Sequence, residues 1–468
     1  MSPTRTAELI GALCHYDYDR LPPEVVRSAK TAFVDALGAL MAATSTDYPV
    51  IRQLERYAER AGGAGASLFG TAKRTDPATA ALLNGTLAYY CDIESHHASA
   101  NVHAIAVVAP AALAIAEAEH STGADLIAAI IAGIDVAARV SYALGPAEMY
   151  ARGFHPSTIA GTFGAAVAAG KLLRLDDQQF TNALGLAGTS TCGLLSWVDD
   201  PSEQSRPLNI GLSAQAGAQA ALLAHHGFKG PDDIFGGKYP FGLAFTGQWD
   251  QNALLADIGE RYEVSNLFFK RNSCCVFIPA GLDGLTSILS DEAIVPDQID
   301  RVDVRAPMSS YHVVDNNPLR SHCMQYILAV AANKGAVSFA DIMSDLRLHD
   351  SGIKDLSERI FVTGDATFDR DAADTGQSVA STTTVTLRDG TTLTREVLNP
   401  LGSPANPLSA EALRAKFEVL TAAVLAPDRV RAIQDSVDHL ESLDDVTVLT
   451  QMLARTAKLN VDIRHDAP

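Results

Sequence analysis

The chain has 468 residues, a formal net charge of −19, 47% hydrophobic and 19% charged residues. This length exceeds one compact core and predicts two or three domains, and the composition excludes a disordered chain. The acidic balance excludes a general nucleic-acid or anionic-membrane binder, which needs a basic face, but allows a small anionic substrate in a local cationic pocket.

From the N-terminus the periodicity is helical. Pro22-Pro23 precedes a run over Glu24–Ala43, with Val25, Val26, Ala29, Phe33, Ala36, Leu37 and Leu40 on one face. Further helices are predicted at Ile51–Ala61, Pro77–Tyr90, Ala104–His120, Ala124–Leu144, Ser157–Leu173, Asp176–Ala187 and Ile210–His226. The small-residue stripe Gly161, Gly164, Ala165, Ala168 and Ala169 predicts close helix packing. The most apolar stretch, Gly123 to Leu144, contains Asp125, Asp135 and Arg139, so it reads as a buried core helix and not a membrane span.

Near residue 260 the pattern changes. Glu263–Lys270 is predicted to be extended, and Gln298–Arg305 alternates as a half-buried strand. Ile360–Thr363 is a short apolar run. Thr382–Arg388 and Thr391–Val397 flank Asp389-Gly390, a hairpin signal whose two turn residues tolerate positive φ. Helical runs at Pro279–Leu289, Ser321–Ala332 and Phe339–Met343 lie between them. Asn399–Pro407 is a Pro/Gly linker, and helices follow near Ala410–Ala423, Pro427–Ser436 and Asp444–Lys458. The expected fold is therefore mainly α. Residues 1–265 and 400–468 form a large helical domain, and 266–399 are inserted as a smaller α+β domain.

The opening MSPTRTAELIGAL has no long apolar core or cleavage site, so no signal peptide is expected. Six cysteines without a C-x-x-C pair predict reduced thiols and a cytoplasmic location.

Four stretches place titratable groups among apolar or small residues. In Tyr89–His103 (YYCDIESHHASANVH), Asp92 and His96 would share a face if the preceding helix continued, and the histidines are suited to base chemistry near neutral pH. A solvated loop with a capping Asp is the competing reading. No H-E-x-x-H or C-x-x-C frame is present, so no metal site is expected. In GFHPSTIAGTFG, His155 opens a helix whose free amides suit a carboxylate. In SRPLNIG, Arg206 is suited to a bidentate carboxylate pair. In KRNSCCVFIP, Lys270 and Arg271 open the second domain, and the adjacent Cys274 and Cys275 read as a buried, inert pair. Tyr326 follows in SHCMQY.

Taken in order, AKTAFVDALGALMA, NGTLAYYCD, VVAPAALAIAEAE, GFHPSTIAGTFGAAVAAGKLL, RPLNIG, KRNSCCVFIPAGLDGL and NPLSAEALRAKF resemble the MmgE/PrpD family over nearly the whole chain. The resemblance implies a helical domain with an α+β lid, a homodimer, and an active site between the domains that works without metal, flavin or nucleotide. The absence of a glycine-rich phosphate loop and of an iron–sulfur thiol pattern agrees with that expectation.

By the same resemblance Asp92, His103, His155 and Tyr326 take family site positions. Arg206 stands where decarboxylase-like members carry a lysine, and Cys275 where they carry a further histidine. The usual D-D-T-H pattern is replaced by Glu94-Ser95-His96-His97, and Ala104 stands where a proline is usual. The expected catalytic residues are His103 and His155 as acid/base pair, Asp92 orienting a histidine, and Tyr326 as donor. Arg206, Lys270, Arg271, His96 and Cys275 are expected to line the substrate site, with no cofactor, no nucleic acid and no membrane as partner. The expected reaction is proton removal beside a carboxylate, as in dehydration of a 2-methylcitrate-like hydroxy acid. Decarboxylation or epimerisation of a related polycarboxylate are the alternatives within the family, and a non-catalytic helical ligand-binding scaffold is the alternative outside it.

Overall fold

A computed structural model describes residues 3–46, 50–200, 202–347, 349–371 and 378–454. Among them helix dominates, and the sheets are one two-stranded and one four-stranded. The fold is mainly α.

Proline starts many of the helices. Pro23, Pro77, Pro156, Pro279 and Pro427 each occupy the first helical position, where the missing N–H costs nothing and φ is already set. The Pro77–Tyr90 helix is also capped by Asp76, which accepts from Thr79 N, and the Gly123–Leu144 helix by Thr122, which accepts from Asp125 N.

The small-residue stripe packs as expected. A Cβ added at Gly164 would lie 2.4 Å from the carbonyl of Gly133, so the Pro156–Leu172 and Gly123–Leu144 helices meet backbone to backbone. Gly211 repeats this against the Pro77–Tyr90 helix, where an added Cβ would lie 2.2 Å from Leu82 O. That approach seats the start of the Ser205–His225 helix below the end of the Pro77–Tyr90 helix. The Gly123–Leu144 helix is the one described helix long and apolar enough to cross a membrane, and 94% of its apolar window is buried in the core.

In the four-stranded sheet, Ile299–Pro307 is central. It pairs in parallel with Ile360–Asp365 and antiparallel with Ser381–Leu387, which pairs with Thr392–Val397. The Pro279–Asp291 helix packs on the last two strands. After the linker, the Ala410–Thr421 helix packs back on the Pro23–Ala43 helix, with Phe417 against Gly38.

Several expectations need correction. Glu263–Asn266 is a 3-10 turn and not extended chain, because the Glu263 amide donates to Asp135 Oδ1 at 2.7 Å and its carboxylate pairs with His97. Of the hairpin turn residues only Gly390 takes positive φ; Asp389 instead accepts the Thr391 amide at 2.9 Å. The helix expected over Ile210–His226 begins at Ser205, since Pro207 falls in the first turn, where it is tolerated. The last predicted helix is seen as Thr447–Leu453, and residues 455–458 of it lie outside the described residues.

Candidate active site

The Pro77–Tyr90 helix stops two residues before Asp92, whose φ of 50° turns the chain sharply. Asp tolerates this left-handed backbone better than most residues. Asp92 and His96 therefore do not share a helical face. Instead the segment 92–103 folds over the helix ends, tied to residues 266–270 by an isolated bridge in which His96 and Phe268 exchange hydrogen bonds of 2.9 and 2.7 Å. Two residues beyond Phe268, Lys270 reaches back: its ammonium bonds Asp92 Oδ1 and lies 3.9 Å from Glu94 Oε1. All three side chains are sealed from solvent. Burial alone would depress the Lys270 ammonium, but Asp92 and Glu94 outweigh it and raise it.

Glu94 Oε1 lies 2.6 Å from His103 Nδ1, an imidazole–carboxylate pair in the interior. The His103 ring is 4.3 Å from that of His96 and 4.5 Å from that of Tyr89, and the His155 ring lies 6.2 Å from that of Tyr89. His103 and His155 each occupy the N-cap position of a helix, of 15 and 17 residues, without a side-chain cap bond. Free amides and the positive helix end there disfavour an imidazolium and favour an anionic ligand. Burial holds His103 and His96 well below the usual histidine range, and holds His155 to about 3, assisted by Arg206. All three rings are neutral and basic in form.

The His155 amide donates to Gly193 O at 3.1 Å and Leu195 N to Gly153 O at 2.9 Å, which draws Trp197 to 5.6 Å from the His155 ring. The ring of His322 also lies 5.8 Å from that of Trp197, and its Nε2 is 3.8 Å from Asp92 Oδ2. Three buried polar atoms in this region, His155 Nδ1, Trp197 Nε1 and Arg206 Nε, have no hydrogen-bond partner among the described residues. Buried polar groups are normally satisfied, so a set of unmatched ones marks a place for a ligand.

Arg206 is fully buried, stacked 4.6 Å over the Tyr89 ring. Its two terminal nitrogens donate to Tyr89 O at 3.2 Å and Tyr90 O at 3.0 Å. The fork expected for a substrate carboxylate is thus engaged by the carbonyl end of the Pro77–Tyr90 helix, and the charge remains in the site.

The structure brings together Asp92, His96, His103, His155, Arg206 and Lys270, with Cys275 beside them; burial pushes the Cys275 thiol up to about 12. It does not bring Tyr326 and Arg271 there. The Tyr326 hydroxyl donates to Asp341 O at 2.6 Å, and Arg271 is half-exposed and paired with Asp283 at 3.0 Å. Sequence reasoning left Glu94, Trp197 and His322 out of the candidate set. A signal for His322 was available: like His103 and His155, it sits at the approach to an apolar helix, here Met324–Lys334.

Ligand atoms of Asp92, Glu94 and His103 lie within 4.8 Å of one another, a spacing that a metal ion could bridge. The Lys270 ammonium already stands against both carboxylates and serves as the cation of this donor set.

Residues 7–253 match the MmgE/PrpD N-terminal domain and residues 273–442 the MmgE/PrpD C-terminal domain. The chain is 26% identical to a cis-aconitate decarboxylase from Homo sapiens, over 92% of this chain and 91% of that protein. It is 23% identical to a cis-aconitate decarboxylase from Aspergillus terreus, over 94% and 95%. A 123-residue stretch is 35% identical to the 2-methylcitrate dehydratase-like protein oryR from Aspergillus oryzae, covering 26% of this chain and 25% of that protein. Two domain matches spanning most of the sequence, around one buried cluster of imidazoles and cations, carry the conclusion that this chain belongs to the MmgE/PrpD family and is an enzyme of the lyase kind.

Proposed function

We propose that the protein is a cofactor-independent lyase that removes a proton beside a carboxylate of a small di- or tricarboxylate, and that the reaction is dehydration of a 2-methylcitrate-like hydroxy acid. The observation that carries this is the pair of neutral, buried imidazoles that both pack near Tyr89, with Arg206 and Lys270 beside them. Neutral imidazole accepts a proton, and fixed cations stabilise the charge that then develops on the neighbouring carboxylate. In this reading one imidazole takes the C–H proton, the electron pair forms the double bond, and hydroxide leaves from the adjacent carbon, taking that proton from the imidazolium to depart as water and restore the neutral ring. Glu94 holds the ring of His103, and Asp92 fixes the Lys270 ammonium.

A second reading, decarboxylation, is favoured by the names of the relatives that align over nearly the whole chain. The same groups would serve it with a proton delivered to carbon as carbon dioxide leaves. On either reading residues 266–399 act as a lid over a helical domain of 1–265 and 400–468, and the enzyme works as a homodimer in the cytoplasm. Incubation of the full chain with citrate, 2-methylcitrate, cis-aconitate and substituted succinates separates the readings. Water loss from a hydroxy acid supports the first, carbon dioxide release the second, and no turnover of any of them removes both.

A further inference from the structure

His322 is a fourth imidazole of the cluster, contributed by the segment that precedes the Met324–Lys334 helix, and the mechanism above gives it no part. Its side chain is 3% exposed. Its Nδ1 lies 3.0 Å from Ser321 Oγ. Its Nε2 faces Asp92 Oδ2 at 3.8 Å, too far for a hydrogen bond, and has no hydrogen-bond partner among the described residues.

The tautomer follows from these neighbours. A lone pair on Nε2 would face a carboxylate, whereas an N–H there is attracted to it. Asp92 therefore selects the Nε2–H form, and the Ser321 hydroxyl donates to Nδ1. The groups facing the ring are Asp92, Trp197, Ser321, Arg206 and Lys270. Burial holds His322 to about 3, with Asp92 pulling it up and Arg206 and Lys270 pushing it down, so the ring is a neutral donor. An N–H with no hydrogen-bond partner among the described residues, on a side chain 3% exposed and in a site with two fixed cations, is placed for an anionic oxygen. Ser321 is itself fixed, because its carbonyl accepts the Cys275 amide at 2.8 Å.

We infer that the Nε2–H of His322 donates a hydrogen bond to an oxygen of the bound substrate anion, which makes His322 a substrate-contacting residue of this site. The inference rests on the polycarboxylate reading and adds a specific donor to it.

Two substitutions separate this role from packing. His322→Gln keeps an N–H donor at nearly the same reach; His322→Phe keeps the ring against Trp197 and removes both nitrogens. The probe is tricarballylate, an unreactive tricarboxylate, titrated calorimetrically into the full-length protein. Loss of one buried donor to a charged oxygen predicts affinity about tenfold weaker in His322→Phe, with His322→Gln within about threefold of wild type. KM for any acid turned over follows the same order. Should the Phe variant not fold, His322→Met replaces it as the apolar variant with the same expectation. The reverse order, with Phe tolerated and Gln impaired, overturns the inference in favour of packing, and equal affinities in all three proteins overturn it as well. Wild-type protein that does not bind tricarballylate is a different result: it removes the polycarboxylate reading, and this inference with it.

Discussion

The ammonium of Lys270 is bonded to the Asp92 carboxylate, 178 residues away in the chain, with both side chains withdrawn from solvent. This pair joins the turn after the Pro77–Tyr90 helix to the segment just before the second family domain, and the rest of the site is arranged around it. Removing either partner strands a buried charge. Lys270→Met and Asp92→Asn are each expected to lower unfolding free energy by about 3–5 kcal/mol, with the double substitution recovering a large part of the loss. Urea denaturation of the four proteins checks this. Additive losses would mean that the two groups do not share their burial cost.

Among the described residues His155 has no side-chain hydrogen bond to break: its Nδ1 is unpartnered there, and its ring packs against Trp197 and Tyr89. His155→Asn should therefore leave the fold intact while turnover falls by about 10²–10⁴, the usual worth of a positioned acid or base. Matched melting curves and steady-state rates test it; unchanged kinetics would take His155 out of the chemistry.

Arg206 carries charge to the site but spends two nitrogens on Tyr89 O and Tyr90 O. Arg206→Lys keeps the charge and loses the fork. The expected outcome is a lower melting temperature, with KM for the anionic substrate raised less than in Arg206→Ala. Equal KM in the two variants would show that charge at this position does not act on the substrate.

Stability should fall as the solution is acidified. His155 and His322 are held to about 3, below the ordinary histidine value near 6.5. Between these values the unfolded chain binds protons that the folded chain refuses, so folding weakens as pH drops through that window and is indifferent to these groups above it. Each histidine contributes a slope of up to about 1.4 kcal/mol per pH unit. Asp35, raised by burial despite Lys416, opposes this by holding its proton in the folded state. Denaturation at pH 7 and pH 5 should give a smaller stability loss for His155→Asn than for wild type. Identical losses would mean that His155 titrates normally.

Metal removal should not matter, because Lys270 already supplies positive charge beside Asp92 and Glu94. Full activity after chelation and dialysis is the expected result. Loss restored by a divalent ion would assign Asp92, Glu94 and His103 to that ion.

Much of the helical frame was legible because the core is built on 3.6-residue periodicity, with Pro at helix starts and Gly where backbones touch. The strands were legible by alternation and by Asp389-Gly390, but not the order of pairing, since the parallel partnership of Ile299–Pro307 with Ile360–Asp365 depends on contacts far apart in sequence. The site divides in the same way. His103 and His155 stand out as titratable residues at apolar helix starts. Glu94 looks ordinary along the chain and acquires neighbours only when the segments cross, whereas His322 shares the place before an apolar helix that marks His103 and His155. Tyr326 was expected in the cluster from the family resemblance, and Arg271 from its place beside Lys270. Tyr326 turns to Asp341 and Arg271 to Asp283, because position along a chain does not fix the side on which a residue emerges.

The central claim is that buried neutral imidazoles break a C–H bond next to a carboxylate. Proton NMR in deuterium oxide, with the acid that the full-length protein turns over, reads that step directly. The account predicts deuterium at the carbon beside a carboxylate, in recovered substrate or in product, formed by wild type and not by His103→Asn or His155→Asn. Deuterium entry or turnover that persists undiminished in both variants would contradict it.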